Sequence, residues 1–81
     1  MNLTVRFFAT LKDRVNASTV KIDVPAAASV EEFLSTLVKE YPALEELLPS
    51  VIVAVNQKFT DPHQVLSPGD EIVVFPPVSG G

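Results

Sequence analysis

Residues 29–41, SVEEFLSTLVKEY, carry the longest helical pattern in the chain and decide the fold. Ser29 and Glu32 have the spacing of a capping box, in which the hydroxyl accepts from the backbone N–H of the glutamate and the carboxylate reaches back. From Val30 onward, apolar residues recur at the i, i+3, i+4, i+7, i+8 and i+11 positions, which predicts one apolar stripe on an amphipathic helix. Because proline disfavours a helical conformation in the residue before it, Pro42 should end this helix.

Two segments that alternate apolar and polar residues precede the helix and predict a hairpin. Residues 3–9, LTVRFFA, place leucine, valine and the first phenylalanine on one face and Phe8 on the other, which is the pattern of a half-buried strand. Residues 19–24, TVKIDV, alternate in the same way. The stretch between them, 10–18, holds turn-forming residues and predicts a short helical turn and a loop. We therefore expect two antiparallel strands.

The chain after the helix predicts further strands joined by turns. Residues 43–49, ALEELLP, predict a second, short helical turn, and the β-branched run 51–55, VIVAV, predicts a buried strand. Residues 59–64 predict a turn with a short edge strand. The segment 67–70, SPGD, predicts a tight turn that leads into a last strand at 71–75.

The predicted order of elements is β-β-α-β-(β)-β, with one long helix after an N-terminal hairpin. Since the helix has one apolar stripe and several strands alternate, the economical packing is the helix laid across one face of a mixed sheet. This arrangement is an α+β fold of the ubiquitin-like β-grasp type. We expect residues 1–75 to form the domain and residues 76–81 to form a flexible, extended tail that carries the terminal diglycine.

The composition argues against several classes of function. At 81 residues the chain should be one domain without room for a built-in active-site cleft. The net charge is −4 and lysine and arginine form no run, which argues against binding to nucleic acid. Without cysteine and with one histidine, neither thiolate catalysis nor a metal site is expected. The absence of a secretory pattern or a membrane-length apolar stretch predicts a cytoplasmic protein with no membrane partner.

The last seven residues, FPPVSGG, indicate where chemistry occurs. A terminal pair of glycines arises by chance in roughly 0.5% of chains, and this chain has only three glycines. Pro76 and Pro77 lack backbone donors and fix φ, so they should end sheet pairing and stiffen the segment that leaves the domain. Residues 76–81 span at most about 20 Å. That length is enough to carry a terminal carboxylate into the active site of another protein.

The terminal glycine suits a reacting group because it leaves its carbonyl carbon unshielded against a nucleophile. A free carboxylate is a poor electrophile and must first be activated, which ATP-dependent adenylation in a partner would do. Replacement of one oxygen by sulfur would then give a thiocarboxylate whose sulfur can be delivered to a carbon centre. Because the chain has no cysteine, sulfur can be carried covalently only at this terminus.

Three segments together resemble one protein family. The first is the ending FPPVSGG, which follows a strand and residues 69–71, GDE. The second is the segment 53–57, VAVNQ, and the third is residues 7–9, FFA, at the end of the first strand. Over essentially its whole length the chain is similar to the MoaD family of ubiquitin-like sulfur carriers, the small subunits of molybdopterin synthase. The resemblance implies a sulfur donor that has no catalytic activity by itself.

The resemblance also implies a reaction cycle and its partners. An E1-like adenylating enzyme would use ATP and Mg²⁺ to form the acyl-adenylate at Gly81, with Gly80 as the second residue of the reacting site, and a sulfur-transfer protein would complete the thiocarboxylate. Sulfur would pass to cyclic pyranopterin monophosphate in molybdenum cofactor biosynthesis, inside the large catalytic subunit of a complex with two small and two large chains. No cofactor is expected to stay bound to this chain. The tail residues implied to enter the large subunit are Pro76, Pro77, Val78 and Ser79.

A docking surface follows from the parity of the strands. In a β-grasp sheet the first and last strands are parallel neighbours, so Phe8 and Phe75, both out of phase with the inward residues beside them, should lie together on the open face. Exposed aromatic clusters often mark binding sites. The family match implies that Phe59 joins them and that Lys12 contacts the large subunit. His63 is expected to be a surface turn residue without chemistry.

Three other functions stay open on the sequence alone. A carrier of sulfur for thiamine thiazole synthesis would use the same terminal chemistry, although the FPPVSGG ending and the long segment between helix and strand favour the molybdopterin branch. A ubiquitin-like modifier would join Gly81 to a lysine through an isopeptide bond. A plain interaction domain with an inert tail would tolerate loss of the last two residues.

Overall fold

The computed structural model describes residues 1–47 and 50–76 and contains the predicted elements in the predicted order. The long helix ends one residue earlier than expected, with Tyr41 as its C-cap. The predicted turn after it is a 3₁₀ turn at Pro42–Leu44. The strands and helices are β1 Asn2–Phe7, α1 Thr10–Val15, β2 Thr19–Asp23, α2 Val30–Glu40, β3 Ile52–Val55, β4 Lys58–Phe59 and β5 Glu71–Phe75.

The strands form one mixed sheet in the order β2-β1-β5-β3-β4. The central pair, β1 and β5, is parallel, with Phe7 opposite Val74, whereas β2, β3 and β4 each pair antiparallel with a neighbour. A parallel pair requires a long crossover between its strands. Here the chain between β1 and β5 contains α2, which covers one face of the sheet. The ubiquitin-like β-grasp fold predicted from the sequence is therefore confirmed.

The start of α2 is fixed by the predicted capping box. The Glu32 backbone N–H donates to the Ser29 hydroxyl at 3.2 Å, and the Ser29 backbone N–H donates to the Glu32 carboxylate at 3.1 Å. Both bonds satisfy donors that a helix N-terminus otherwise leaves unpaired. The capping box therefore defines where the helix begins.

The core lies between α2 and one face of the sheet. Phe33 and Leu37 of the helix are fully buried. Burial of a side chain of this size contributes about 1.5–3 kcal/mol, so these helix positions hold the two layers together. The core residues that the sheet contributes beneath them are Leu3, Val5, Phe7, Ile22, Val53, Val55, Ile72 and Val74.

Asn56 connects the β3–β4 turn to the turn that precedes β5. Asn56 and Gln57 have φ values of 52° and 71°, the successive positive values that a two-residue hairpin turn requires and that asparagine tolerates. The Asn56 side-chain amide donates to the Asp70 carboxylate at 2.9 Å, and its carbonyl accepts from the Glu71 backbone N–H at 3.0 Å. These bonds fix the start of β5 and hence the strand from which the tail leaves.

Candidate functional site at the base of the tail

Three phenylalanines from three strands or strand ends meet on the sheet face that α2 does not cover. The ring centroids of Phe8 and Phe75 lie 4.9 Å apart, and those of Phe59 and Phe75 lie 6.5 Å apart with the rings nearly perpendicular. We call Phe8, Phe59 and Phe75 the aromatic cluster. The predicted neighbourhood of these residues is thus present in the structure, while their role in binding a partner stays a prediction.

The register of the sheet explains why the cluster forms. Phe7 is opposite Val74 in the parallel β1–β5 pair. The residues that follow them in sequence, Phe8 and Phe75, therefore come together on the other face of the sheet. Ile52 is opposite Phe75 in the antiparallel β3–β5 pair. Ile52 is thus a neighbour of Phe75 that was not predicted from the sequence, because the apolar run of β3 has no alternation that would separate its two faces.

The aromatic cluster is unusually exposed for its size. Phe59 is 77% exposed and Phe8 is 42% exposed, whereas Phe75 is half-buried between them. Single exposed apolar residues are common on protein surfaces, but grouped ones mark binding sites. Aromatic residues in such groups carry a large share of binding energy. The cluster is the candidate docking site of this protein.

The tail begins inside this cluster. β5 ends at Phe75, and Pro76, which is half-buried, is the next residue. The tail therefore begins at the centre of the docking site. The other predicted tail sites, Pro77, Val78, Ser79, Gly80 and Gly81, lie outside the described residues.

Lys12 lines the same cleft as Phe8, and its contact with a large subunit stays a prediction. A cleft of about 340 Å³ at the end of β1 is lined by Lys12 and Phe8 together with Arg6 and Ser18. Among residues 1–47 and 50–76, no carboxylate forms a salt bridge with Arg6 or Lys12. The ammonium group of Lys12 is therefore accessible beside Phe8.

The turn that orients Phe8 and Lys12 has an unusual backbone. Ala9 adopts φ 53° and ψ −128°, a region that favours glycine and costs a residue with a Cβ about 1–3 kcal/mol. The turn is closed by two hydrogen bonds, from the Leu11 N–H to the Phe8 carbonyl at 3.2 Å and from the Lys12 N–H to the Ala9 carbonyl at 3.1 Å. Backbone strain of this kind concentrates at functional sites.

Replacing Ala9 with glycine is expected to stabilise the fold, since glycine adopts this conformation without a steric penalty. We expect a gain of about 1 kcal/mol, or about 4–8 °C in the melting temperature of a domain of this size. Ala26→Gly is the matched control, because Ala26 is exposed but has no positive φ, and it should destabilise slightly. An Ala9→Gly variant that melts no higher than the control would contradict the backbone strain inferred at Ala9.

His63 is a turn residue, in agreement with the sequence analysis. Its backbone N–H donates to the Asp61 carboxylate at 2.7 Å, and its side chain is exposed. In the part of the chain that the structure describes, histidine, aspartate and glutamate form no group of three that could hold a metal ion. None of the helices in that part is long and apolar enough to cross a membrane.

The β-grasp sheet with one helix across it makes this chain a ubiquitin-like protein. A family model described as the ThiS family matches residues 5–81. The chain belongs to this family.

The relatives divide between sulfur carriers and protein modifiers. The molybdopterin synthase sulfur carrier subunit of Arabidopsis thaliana is 27% identical over 81 residues, which cover 100% of this chain and 84% of the relative. Small archaeal modifier protein 1 of Haloferax volcanii is 36% identical over 84 residues, covering 94% and 97% of the two chains. Its crystal structure matches with a TM-score of 0.86 at 34% identity over 100% of both chains.

A further similar structure is a complex. It contains subunits 1 and 2 of the molybdopterin-converting factor of Helicobacter pylori, and one of its chains matches with a TM-score of 0.71 at 29% identity over 100% of both chains. The resemblance to molybdopterin synthase small subunits inferred from the sequence is confirmed by these similarities.

Proposed function

We propose that this protein is the sulfur-carrier small subunit of a molybdopterin synthase. In this proposal Gly81 is adenylated, converted to a thiocarboxylate, and donates its sulfur to cyclic pyranopterin monophosphate during molybdenum cofactor biosynthesis. The observation that carries the proposal is the aromatic cluster at the origin of the tail, with Phe8 and Phe75 4.9 Å apart. Similarity to sulfur carrier subunits over the whole chain supports it.

The chemistry requires of this chain only a terminal carboxylate and a folded domain that presents it to the partners. Attack of the Gly81 carboxylate on the α-phosphorus of ATP gives the acyl-adenylate and releases pyrophosphate, and hydrosulfide from the sulfur donor then displaces AMP, which leaves the thiocarboxylate and a proton. Transfer of the sulfur and hydrolysis regenerate the carboxylate. The adenylating partner holds ATP and Mg²⁺, so this chain contributes reach and docking and has no catalytic group of its own.

The aromatic cluster would bind the partner while the tail reaches its active site. The proposed partners are a large catalytic subunit, in a complex of two small and two large chains, an E1-like adenylating enzyme and a sulfur-transfer protein. The complex of subunits 1 and 2 from Helicobacter pylori supports the first of them. Because Pro76 directly follows Phe75, a partner that covers the cluster binds at the base of the tail.

A reconstituted assay tests the acceptor of the sulfur. The thiocarboxylated protein, mixed with a molybdopterin synthase large subunit and cyclic pyranopterin monophosphate, should convert the precursor to the dithiolene product. The unloaded protein is the matched control and should give no product. If the loaded protein produces none either, while an established carrier does, the proposed acceptor is wrong.

Protein modification is the second candidate function. The 36% identity to small archaeal modifier protein 1 favours it, and both functions would share activation of the terminal carboxylate. A modifier forms isopeptide bonds between Gly81 and lysine, so conjugates would appear when the activated chain meets other proteins. A ThiS-like role in thiamine thiazole synthesis shares the thiocarboxylate and differs only in the acceptor. The reconstituted assay detects only sulfur transfer to cyclic pyranopterin monophosphate, and conjugates on lysine would identify the modifier.

A further inference from the structure

An open groove of about 550 Å³ runs along one flank of α2. The cluster lies on the sheet face that α2 leaves uncovered, whereas this groove is lined by the helix itself. Its lining residues are Glu31, Leu34, Ser35, Val38, Glu45, Pro62 and His63. A smaller pocket that shares Leu34 and Pro62 with the groove is also lined by Phe59, so the groove adjoins one edge of the cluster, whereas Phe8 and Phe75 line neither pocket.

The floor of the groove is the part of the apolar stripe that the core does not cover. Leu34 and Val38 are one helical turn apart on the same face of α2, and both pack against the core while remaining half-buried. A helix flank of this kind offers apolar surface for burial without any rearrangement of the core.

The opposite wall is fixed to the start of α2 by backbone hydrogen bonds. The Glu31 N–H donates to the Pro62 carbonyl at 3.0 Å, and the Val30 N–H donates to the Gln64 carbonyl at 2.9 Å. The groove is thus formed before any partner binds, which lowers the entropic cost of binding.

The two ends of the groove are acidic. Glu31 and Glu45 are exposed at its rim. Their neighbours are already engaged, because Glu32 completes the capping box and Glu46 lies 3.9 Å from Arg14. At 1.5 Å per residue, the helix advances about 10 Å between Glu31 and Val38, and Glu45 follows the 3₁₀ turn beyond the end of α2.

We propose that this groove binds an extended segment of a partner protein in which two basic side chains flank apolar residues. Alternate residues of an extended segment point to the same side, so an apolar residue can lie on Leu34 and Val38 while the basic residues on either side of it face the acidic rim. The net charge of −4 attracts a basic segment.

A peptide titration tests the site independently of sulfur chemistry. The probe is acetyl-Lys-Val-Ile-Val-Lys-amide, added to the full ¹⁵N-labelled chain and followed by NMR. We expect saturable shifts at Leu34, Val38 and His63 and none at Phe8 or Phe75. The same peptide with glutamate in place of both lysines should bind about tenfold more weakly, because two exposed ion pairs are replaced by repulsion.

Matched variants locate the charges that matter. Glu31→Gln with Glu45→Gln should weaken binding of the lysine peptide about tenfold, whereas Glu40→Gln with Glu71→Gln, exposed acids outside the groove lining with the same total charge change, should leave it nearly unaltered. Equal losses in both pairs, shifts confined to the aromatic cluster, or no saturable shift would each overturn the proposal. A dimer of the free chain that the peptide dissociates would identify a second copy as the occupant and overturn it too. Sulfur loading can succeed or fail with any of these results, so the two proposals fail separately.

Discussion

Deleting Gly81, or adding one alanine after it, is expected to abolish sulfur loading and leave the folded domain unchanged. The reacting carbonyl must lie within the active site of the adenylating enzyme, and each residue moves it by about 3.3–3.6 Å along an extended chain. Displacement of a reacting group by 1 Å can already cost about 100-fold in rate. We therefore expect a loss of loading of at least about 100-fold for either variant.

Stability provides the second readout of this experiment. The buried core of the described domain ends at Val74, so neither variant removes a core contact among those residues. Ser79→Ala is the matched control, since it keeps both the length of the tail and its terminal carboxylate. A lower melting temperature in either length variant, or loading equal to that of the control, would contradict the separation between a folded domain and a reactive terminus.

Introducing a charge at Phe8 is expected to have the second largest effect, on affinity for the large subunit. Phe8 is 42% exposed and packs against Phe75 with the ring centroids 4.9 Å apart, so Phe8→Asp would place a carboxylate within the docked surface. Loss of an aromatic interface residue of this kind costs about 2–4 kcal/mol in binding, which is about 30-fold to 1,000-fold in the dissociation constant. Isothermal titration calorimetry with the large subunit measures it.

A matched substitution elsewhere separates docking from general surface effects. Val65 is also an exposed large apolar residue, at 56%, but it lies outside the cluster. Val65→Asp should leave the affinity nearly unchanged. Phe75→Ala should weaken binding too, although Phe75 is part of β5 and its loss also reduces stability. Unaltered affinity in both the Phe8 and Phe75 variants would refute the aromatic cluster as the docking site.

The sequence predicted the fold well because each of its signals is local. The alternation in β1, the apolar spacing in α2 and the capping box of Ser29 and Glu32 each depend on a few neighbouring residues. Even the contact between Phe8 and Phe75 followed from local parity once the two strands were paired in parallel. Local patterns and the fold agree here, as expected for a sequence that specifies one structure.

Features that depend on the three-dimensional context were not predictable in this way. Alanine carries no signal for a positive φ, so the strained turn at Ala9 is visible only in the structure. Leu34 and Val38 belong to the predicted apolar stripe, yet they are half-buried because the sheet covers only the side of α2 that carries Phe33 and Leu37. The groove on that flank consequently had no counterpart in the sequence analysis.

The proposed function depends on a reactive carboxylate at Gly81, and the intact mass of the protein tests it most directly. After incubation with an E1-like adenylating enzyme, ATP, Mg²⁺ and a sulfur source, the mass should increase by the difference between one sulfur and one oxygen atom, and fragmentation should place the change at Gly81. An unchanged mass, under conditions that load an established carrier, would contradict the proposed function.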